Sequence, residues 1–129
     1  MGLLVVVGII YSSITNNKKA KAIKANPKQT IARIFDKFIP QVTSSTVTKV
    51  KYQTRYKYEF EVNGKKITGL TERYNFYIEN QDAIMGKTFP VIYDEKNPEN
   101  SCILILERDF TEFNLTQPDS LKPYEQILN

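Results

Sequence analysis

The residues of this chain that could do acid–base chemistry are its carboxylates, because the sequence contains no histidine. Ser-His and Cys-His nucleophile systems are thereby excluded, and the single cysteine, Cys102, supplies too few ligands for a zinc site of the Cys/His type. Two pairs of nearby carboxylates remain, Glu59 with Glu61 and Asp94 with Glu95. The first pair alternates with lysines on the predicted wet face of a strand, and Asp94 is predicted in a turn. Neither pattern provides the apolar surroundings that shift a carboxyl pKa.

The glycines form no phosphate-binding loop, since neither G-x-G-x-x-G nor G-x-x-x-x-G-K-[ST] occurs among the five of them. The sequence therefore predicts no catalytic residue, no metal-binding residue and no cofactor, and a protein that is not an enzyme. A small enzyme with a carboxylate-only site is the second alternative.

Five lysines near the N-terminus are the predicted membrane-surface residues: Lys18, Lys19, Lys21, Lys24 and Lys28. They follow an uncharged apolar run over residues 2–14, which as a helix would rise about 20 Å, against roughly 30 Å of bilayer hydrocarbon. Basic residues after the run, rather than before it, disfavour a cleaved signal peptide. We expect a membrane-anchor helix over residues 1–17 and a Lys-rich juxtamembrane linker over 18–28. A buried structural segment and a solvated Ala/Lys helix are the alternatives.

These features predict a single-pass protein of the cell membrane, with the lipid bilayer as a partner and the globular part on the cytoplasmic side. The basic excess is confined to the N-terminal segment. Residues 29–129 hold 13 of the 18 basic residues and all 14 acidic ones, a net charge of −1. Period-two spacing also sends the tyrosines and the cations of residues 49–58 to opposite faces. We therefore expect no nucleic acid as a partner, although a soluble oligonucleotide-binding-type β-barrel is the first alternative.

The elements that must position these groups are led by a β-hairpin over residues 50–69. Even positions from Val50 to Val62 are apolar or aromatic except Thr54, which predicts one long strand with a buried face. The pair Asn63-Gly64 that follows favours a type I′ turn. That turn places Val62 opposite Lys65, Phe60 opposite Ile67 and Tyr58 opposite Gly69. Because glycine has no side chain, the ring of Tyr58 would have room to lie across the ribbon. A bulge or a strand end at Gly69 is the alternative.

Further strands are predicted over residues 29–38, 87–94 and 101–106, with a short helix over 80–85 and a turn over 95–100. The run SCILIL at 101–106 has apolar residues at both odd and even positions. This predicts a strand that is covered on both faces. The predicted fold is all-β, a small antiparallel barrel or sandwich of about five strands over 29–106, with an N-terminal apolar helix. A C-terminal tail over 107–129 either packs back on the domain or is disordered.

One family resemblance rests on turn glycines and core aromatics. The pattern is Tyr58-x-Phe60-x-Val62-Asn63-Gly64, then Gly69, Gly86, Val91-Ile92-Tyr93-Asp94 and Asn97-Pro98. It resembles a bacterial domain-of-unknown-function family of small membrane-tethered β-domains over roughly residues 28–106. The resemblance implies a compact β-domain of five or so strands beside a membrane, and it implies no substrate or active site. We accordingly expect a non-enzymatic binding or scaffolding module at the membrane surface, with an unidentified protein as a further candidate partner.

Overall fold

The computed structural model describes residues 18–129, so the anchor helix predicted over residues 1–17 lies outside the described residues. Within residues 18–129, no helix is long and apolar enough to cross a bilayer, a crossing that takes about 20 apolar residues. This finding corrects the predicted localisation: a single-pass protein of the cell membrane is not supported, and the N-terminal apolar helix of the predicted fold is not confirmed.

Eight strands contain 46% of the described residues and form both sheets, so the all-β prediction is confirmed. They are β1 (Pro27–Lys37), β2 (Gln41–Ser45), β3 (Val50–Thr54), β4 (Tyr56–Val62), β5 (Lys65–Leu70), β6 (Tyr74–Tyr77), β7 (Thr88–Asp94) and β8 (Asn97–Ile103). Helical residues are α1 (residues 18–25), α2 (Glu107–Glu112) and two 3-10 helices, Ile78–Asn80 and Asp119–Gln126.

Five strands form one antiparallel sheet in the order β5-β4-β1-β7-β8. The sheet curls until its two outer strands, β5 and β8, approach each other, so it is a nearly closed barrel. A seam remains between these two strands because they are not hydrogen-bonded neighbours. The other three strands form a second antiparallel sheet in the order β2-β3-β6.

The prediction of one strand from Val50 to Val62 is wrong, because the chain changes sheets at Arg55. Thr54 is the one polar residue in the apolar series, and it lies at this corner, where it is only 5% exposed. Its hydroxyl donates to the Phe38 carbonyl at 2.8 Å, and the Phe38 amide donates to the Arg55 carbonyl at 3.1 Å. A buried threonine at this point thus satisfies backbone groups that the sheets leave free.

The hairpin of β4 and β5 has the predicted register: Val62 faces Lys65, Phe60 faces Ile67 and Tyr58 faces Gly69. Asn63 and Gly64 both have positive φ, of 53° and 78°, as a type I′ turn requires. The Tyr58 ring lies over Gly69 so closely that a Cβ at position 69 would overlap it. The prediction that this glycine makes room for the ring is therefore confirmed.

The barrel interior is filled by aromatic and branched side chains, among which Tyr56 and Tyr58 are fully buried. The Tyr58 hydroxyl reaches across to Ser101 on β8, with 2.7 Å between Oη and Oγ. A second cluster lies on the outer side of the barrel wall and consists of Ile23, Ile92, Leu104 and Phe110. Helices α1 and α2 supply two of its members, so β8 and the residues after it are covered on both faces, as predicted.

The ends of the described chain pack on the barrel. Ile23, in the segment predicted as a linker, has no exposed surface, and β1 already begins at Pro27. Leu128 in the tail is 1% exposed. Asn129 and Asn75 exchange two backbone hydrogen bonds of 3.1 and 3.3 Å, which places the C-terminal residue along β6. The turn expected over residues 95–100 is shorter, since only Glu95 and Lys96 form it and β8 starts at Asn97.

Candidate binding groove

The unclosed seam of the barrel opens into a groove of about 800 Å³. Its walls are the segment leaving β5 (residues 70–74), the end of β8, and helices α1 and α2. β5 ends at Leu70 and the chain crosses to the second sheet, while β8 ends at Ile103 and turns into α2. Because both strands stop here, side chains rather than a ladder of backbone hydrogen bonds fill this edge of the barrel.

Four cations line the groove: Lys19, Arg55, Arg73 and Arg108. Within residues 18–129, none of them forms an ion pair with a carboxylate. Arg55 is held in place because its Nε donates to the Thr71 carbonyl at 2.8 Å. The guanidinium of Arg108 lies 5.9 Å from the centroid of the Tyr74 ring. The groove therefore has four cationic groups that form no ion pair within the described residues.

Three carboxylates also border the groove, and two of them are already occupied. Asp109 Oδ2 accepts hydrogen bonds from the backbone amides of Ile105 and Leu106 at 3.1 and 2.9 Å, so it closes the start of α2. Burial raises the pKa of this carboxyl above its ordinary value, against the lowering effect of the two amides. Glu112 accepts from Lys24 at 3.4 Å. Only Glu72 opposes the four cations without such a partner in the described part.

Four of the side chains that line the groove are apolar or aromatic: Leu70, Tyr74, Ile103 and Phe113. Cys102 also lines the groove, where it is half-buried and packs against the outer cluster. Burial raises the pKa of the Cys102 thiol, so it stays protonated near neutral pH and is a weak nucleophile. Cationic and apolar side chains in one groove suit an organic anion, with its charged group at the arginines and its apolar body against the apolar side chains.

The five lysines predicted to face a membrane do not lie on one surface. Lys19 is half-buried and lines the groove. Lys24 pairs with Glu112, and Lys28 lies on β1, where it pairs with Glu95 at 3.7 Å. Lys18 and Lys21 are exposed on α1 and form no ion pair within the described residues. One of the five lysines thus lines the groove, two form ion pairs with glutamates, and two are exposed on α1.

In each of the two carboxylate pairs considered for acid–base catalysis, at least one member is engaged in other contacts. Glu59 forms ion pairs with Arg33 at 3.1 Å and with Lys66 at 3.4 Å. The hydrogen bond from Arg33 is the main cause that lowers the pKa of this carboxyl. Asp94 is buried and accepts the Lys96 amide at 2.9 Å, as a turn residue does. Among residues 18–129, no group of three His, Cys, Asp or Glu side chains could hold a metal ion.

Sequence reasoning missed the three groove arginines. The alternating pattern of residues 49–58 placed Arg55 on the solvent face of a strand together with the other cations. Arg73 and Arg108 lie in segments with no periodic pattern. They meet because the seam brings the end of β5 beside the start of α2. Fold and groove together define a small antiparallel β-barrel domain with a cationic opening. No protein-family model, curated protein or solved structure gave a significant match to this chain.

Proposed function

We propose that this domain is a non-enzymatic binding module, and that the seam groove takes an organic anion or the acidic end of a partner molecule. The observation that carries the proposal is that four cations and four apolar or aromatic side chains line one groove, where one carboxylate within the described residues has no partner. Charge-assisted hydrogen bonds to guanidinium groups are stronger than neutral ones, so an anion would gain most at this place.

Binding is a better explanation than catalysis because two of the groove side chains that could transfer a proton, Asp109 and Cys102, are committed to the fold. Asp109 is held by two backbone amides, and the Cys102 thiol is kept protonated by burial. Membership of the bacterial domain-of-unknown-function family is part of the same proposal. It rests on Tyr58, Phe60, the turn glycines and the Asn97-Pro98 pair, none of which is a polar groove residue.

The test is a titration of the full chain with 8-anilinonaphthalene-1-sulfonate, an anionic probe with an apolar body. The variant Arg73→Gln/Arg108→Gln removes two exposed groove cations, and we expect roughly tenfold weaker binding, since each exposed charge pair contributes up to about 1 kcal/mol. Lys65→Gln/Lys96→Gln is the matched control, because it removes the same charge from two exposed lysines without ion pairs among the described residues.

Equal weakening by both double variants would contradict the proposal, because the probe would then respond to net charge alone. Thermal unfolding of each variant checks that the fold is retained. A labelled oligothymidylate tested against the same proteins addresses the oligonucleotide-binding alternative. Affinity that falls steeply with salt and depends on the groove arginines would favour that alternative over a small organic anion.

A further inference from the structure

β2 is an edge strand of the three-stranded sheet, and none of its residues lines the groove. All five residues of β2 are exposed, and its only strand partner is β3. The opposite edge of the same sheet is covered, because Asn129 forms two backbone hydrogen bonds with Asn75 of β6. The backbone of β2 on its open side therefore has amides and carbonyls that can pair with another strand.

The other strand edges of the described domain carry groups that discourage pairing. β5 begins with Lys65 and Lys66, and β8 contains Pro98 and Glu99. Charged residues and proline are the usual protection of an edge strand. β2, with the sequence QVTSS, has neither. A bulge between Val42 and Ser44 is its one irregularity, and the Thr43 hydroxyl donates to the Lys51 carbonyl, which ties the bulge to β3.

We propose that β2 accepts an extended acidic segment of a partner protein as a fourth strand, with apolar and acidic residues alternating along that segment. The alternation follows from the two rows of side chains that the added strand would continue. On one face the row is Val42, Tyr52 and Phe76, which runs into the core. Val42 at its end is 58% exposed, so an apolar side chain beside it would complete the row.

The other face of the sheet selects acidic residues. Its row is Ser44, Lys51 and Tyr77, and both Lys49 and Lys51 lie over the Tyr77 ring at 5.2 and 5.5 Å. Neither lysine forms an ion pair anywhere in residues 18–129. Both ammonium groups lie over Tyr77 of β6, on the side of β3 away from β2, so these side chains would turn toward β2 to meet a carboxylate opposite Ser44. Neighbouring strands lie about 4.8 Å apart, which puts that carboxylate about two strand spacings from Lys51.

Charge also argues against a second copy of this chain as the occupant. Residues 37–57 contain five basic residues and no acidic one. Lys37 and Lys57 are paired with Asp82 and Asp36, but the lysines of the β2–β3 hairpin are not. Two such hairpins side by side would repel each other, whereas an acidic strand would be attracted. Main-chain hydrogen bonds would supply affinity, and the two side-chain rows would supply specificity.

The experiment uses the full chain and a fluorescein-labelled octapeptide of alternating valine and glutamate. A peptide of the same composition with the valines and glutamates in two separate blocks, and an alternating valine–lysine peptide, serve as ligand controls. We expect the first peptide to bind at least tenfold more tightly than either control. Amide hydrogen exchange of residues 41–45 should slow when it binds, because those amides then lie inside a ladder.

Two variants test the charge argument. Lys49→Glu/Lys51→Glu should weaken binding of the valine–glutamate peptide at least tenfold, and Lys65→Glu/Lys96→Glu, with the same change in net charge, should leave it unchanged. Equal binding of the two glutamate peptides, or binding without protection of residues 41–45, would overturn the proposal. It would also be overturned if the protein alone formed dimers with β2 protected, or if oligothymidylate displaced the peptide from the hairpin.

Discussion

Replacing Gly69 with alanine tests the central contact of the hairpin. An alanine Cβ would lie 2.5 Å from the Tyr58 Oη and closer still to the ring. Tyr58 cannot easily move away, because it has no exposed surface, its hydroxyl is bonded to Ser101 at 2.7 Å, and its ring lies 6.2 Å from that of Phe60. The substitution therefore forces either a displaced ring or a displaced strand.

Three contributions set the size of the effect. Overpacking a core typically costs about 1–3 kcal/mol. Loss of the Tyr58–Ser101 hydrogen bond adds about 1 kcal/mol. Glycine to alanine in a strand by itself returns about 0.5–1 kcal/mol, because the unfolded chain loses conformational freedom. The loss of the hydrogen bond and the gain from replacing glycine nearly cancel, so the overpacking cost remains. We therefore expect the free energy of unfolding to fall by about 2 kcal/mol, the middle of the overpacking range.

The assay is urea unfolding followed by far-ultraviolet circular dichroism, repeated in a Tyr58→Leu background. Leucine is smaller than tyrosine and has no hydroxyl, so Gly69→Ala should cost less than about 0.5 kcal/mol there, and the double-mutant cycle should show a coupling above about 1 kcal/mol. If alanine at position 69 destabilises both backgrounds equally, the overlap with Tyr58 is not its cause and the reasoning fails.

Two further predictions concern the tyrosines and the helix before β1. Burial raises the pKa of Tyr56, Tyr58 and Tyr74, so the folded protein keeps these phenols protonated while those of the unfolded chain ionise near pH ~10. The free energy of unfolding should fall above that pH by up to about 1.4 kcal/mol per unit for each phenol. A free energy of unfolding that stays constant in urea unfolding as the pH rises above about 10 would contradict this. Ile23→Ala should cost about 2–5 kcal/mol in urea unfolding, because Ile23 has no exposed surface. Exposed Lys21→Ala is its control, and equal effects would mean that residues 18–25 do not contribute to the core.

Much of the barrel could be predicted from the sequence because its signals are local. Alternation along residues 56–62 selects a buried face, and Asn63-Gly64 selects a tight turn. Together they set the register that pairs Tyr58 with Gly69. The SCILIL run likewise indicated that both faces of its segment would be covered, although not which elements would cover them.

The predictions that failed depend on contacts distant in sequence. The apolar series is interrupted only at Thr54 and resumes at Tyr56, so it does not by itself show that the chain leaves one sheet for another at Arg55. That change depends on the Phe38 carbonyl, which accepts the Thr54 hydroxyl from 16 residues away. The lysines of residues 18–28 suggested a linker, but Ile23 is buried under a cluster that includes Phe110, 87 positions further along the chain.

The all-β class, the hairpin register and the tyrosines that face the interior could be predicted from local patterns. Side-chain period and turn chemistry act over a few residues, so they are visible in the sequence. Only the tertiary structure decided that the barrel stays open between β5 and β8, and that Lys19, Arg55, Arg73 and Arg108 meet at that opening. Which strands become edges depends on long-range pairing across the whole sheet. No local sequence pattern predicts that pairing. The groove and the open edge of β2 are therefore seen only in the folded chain.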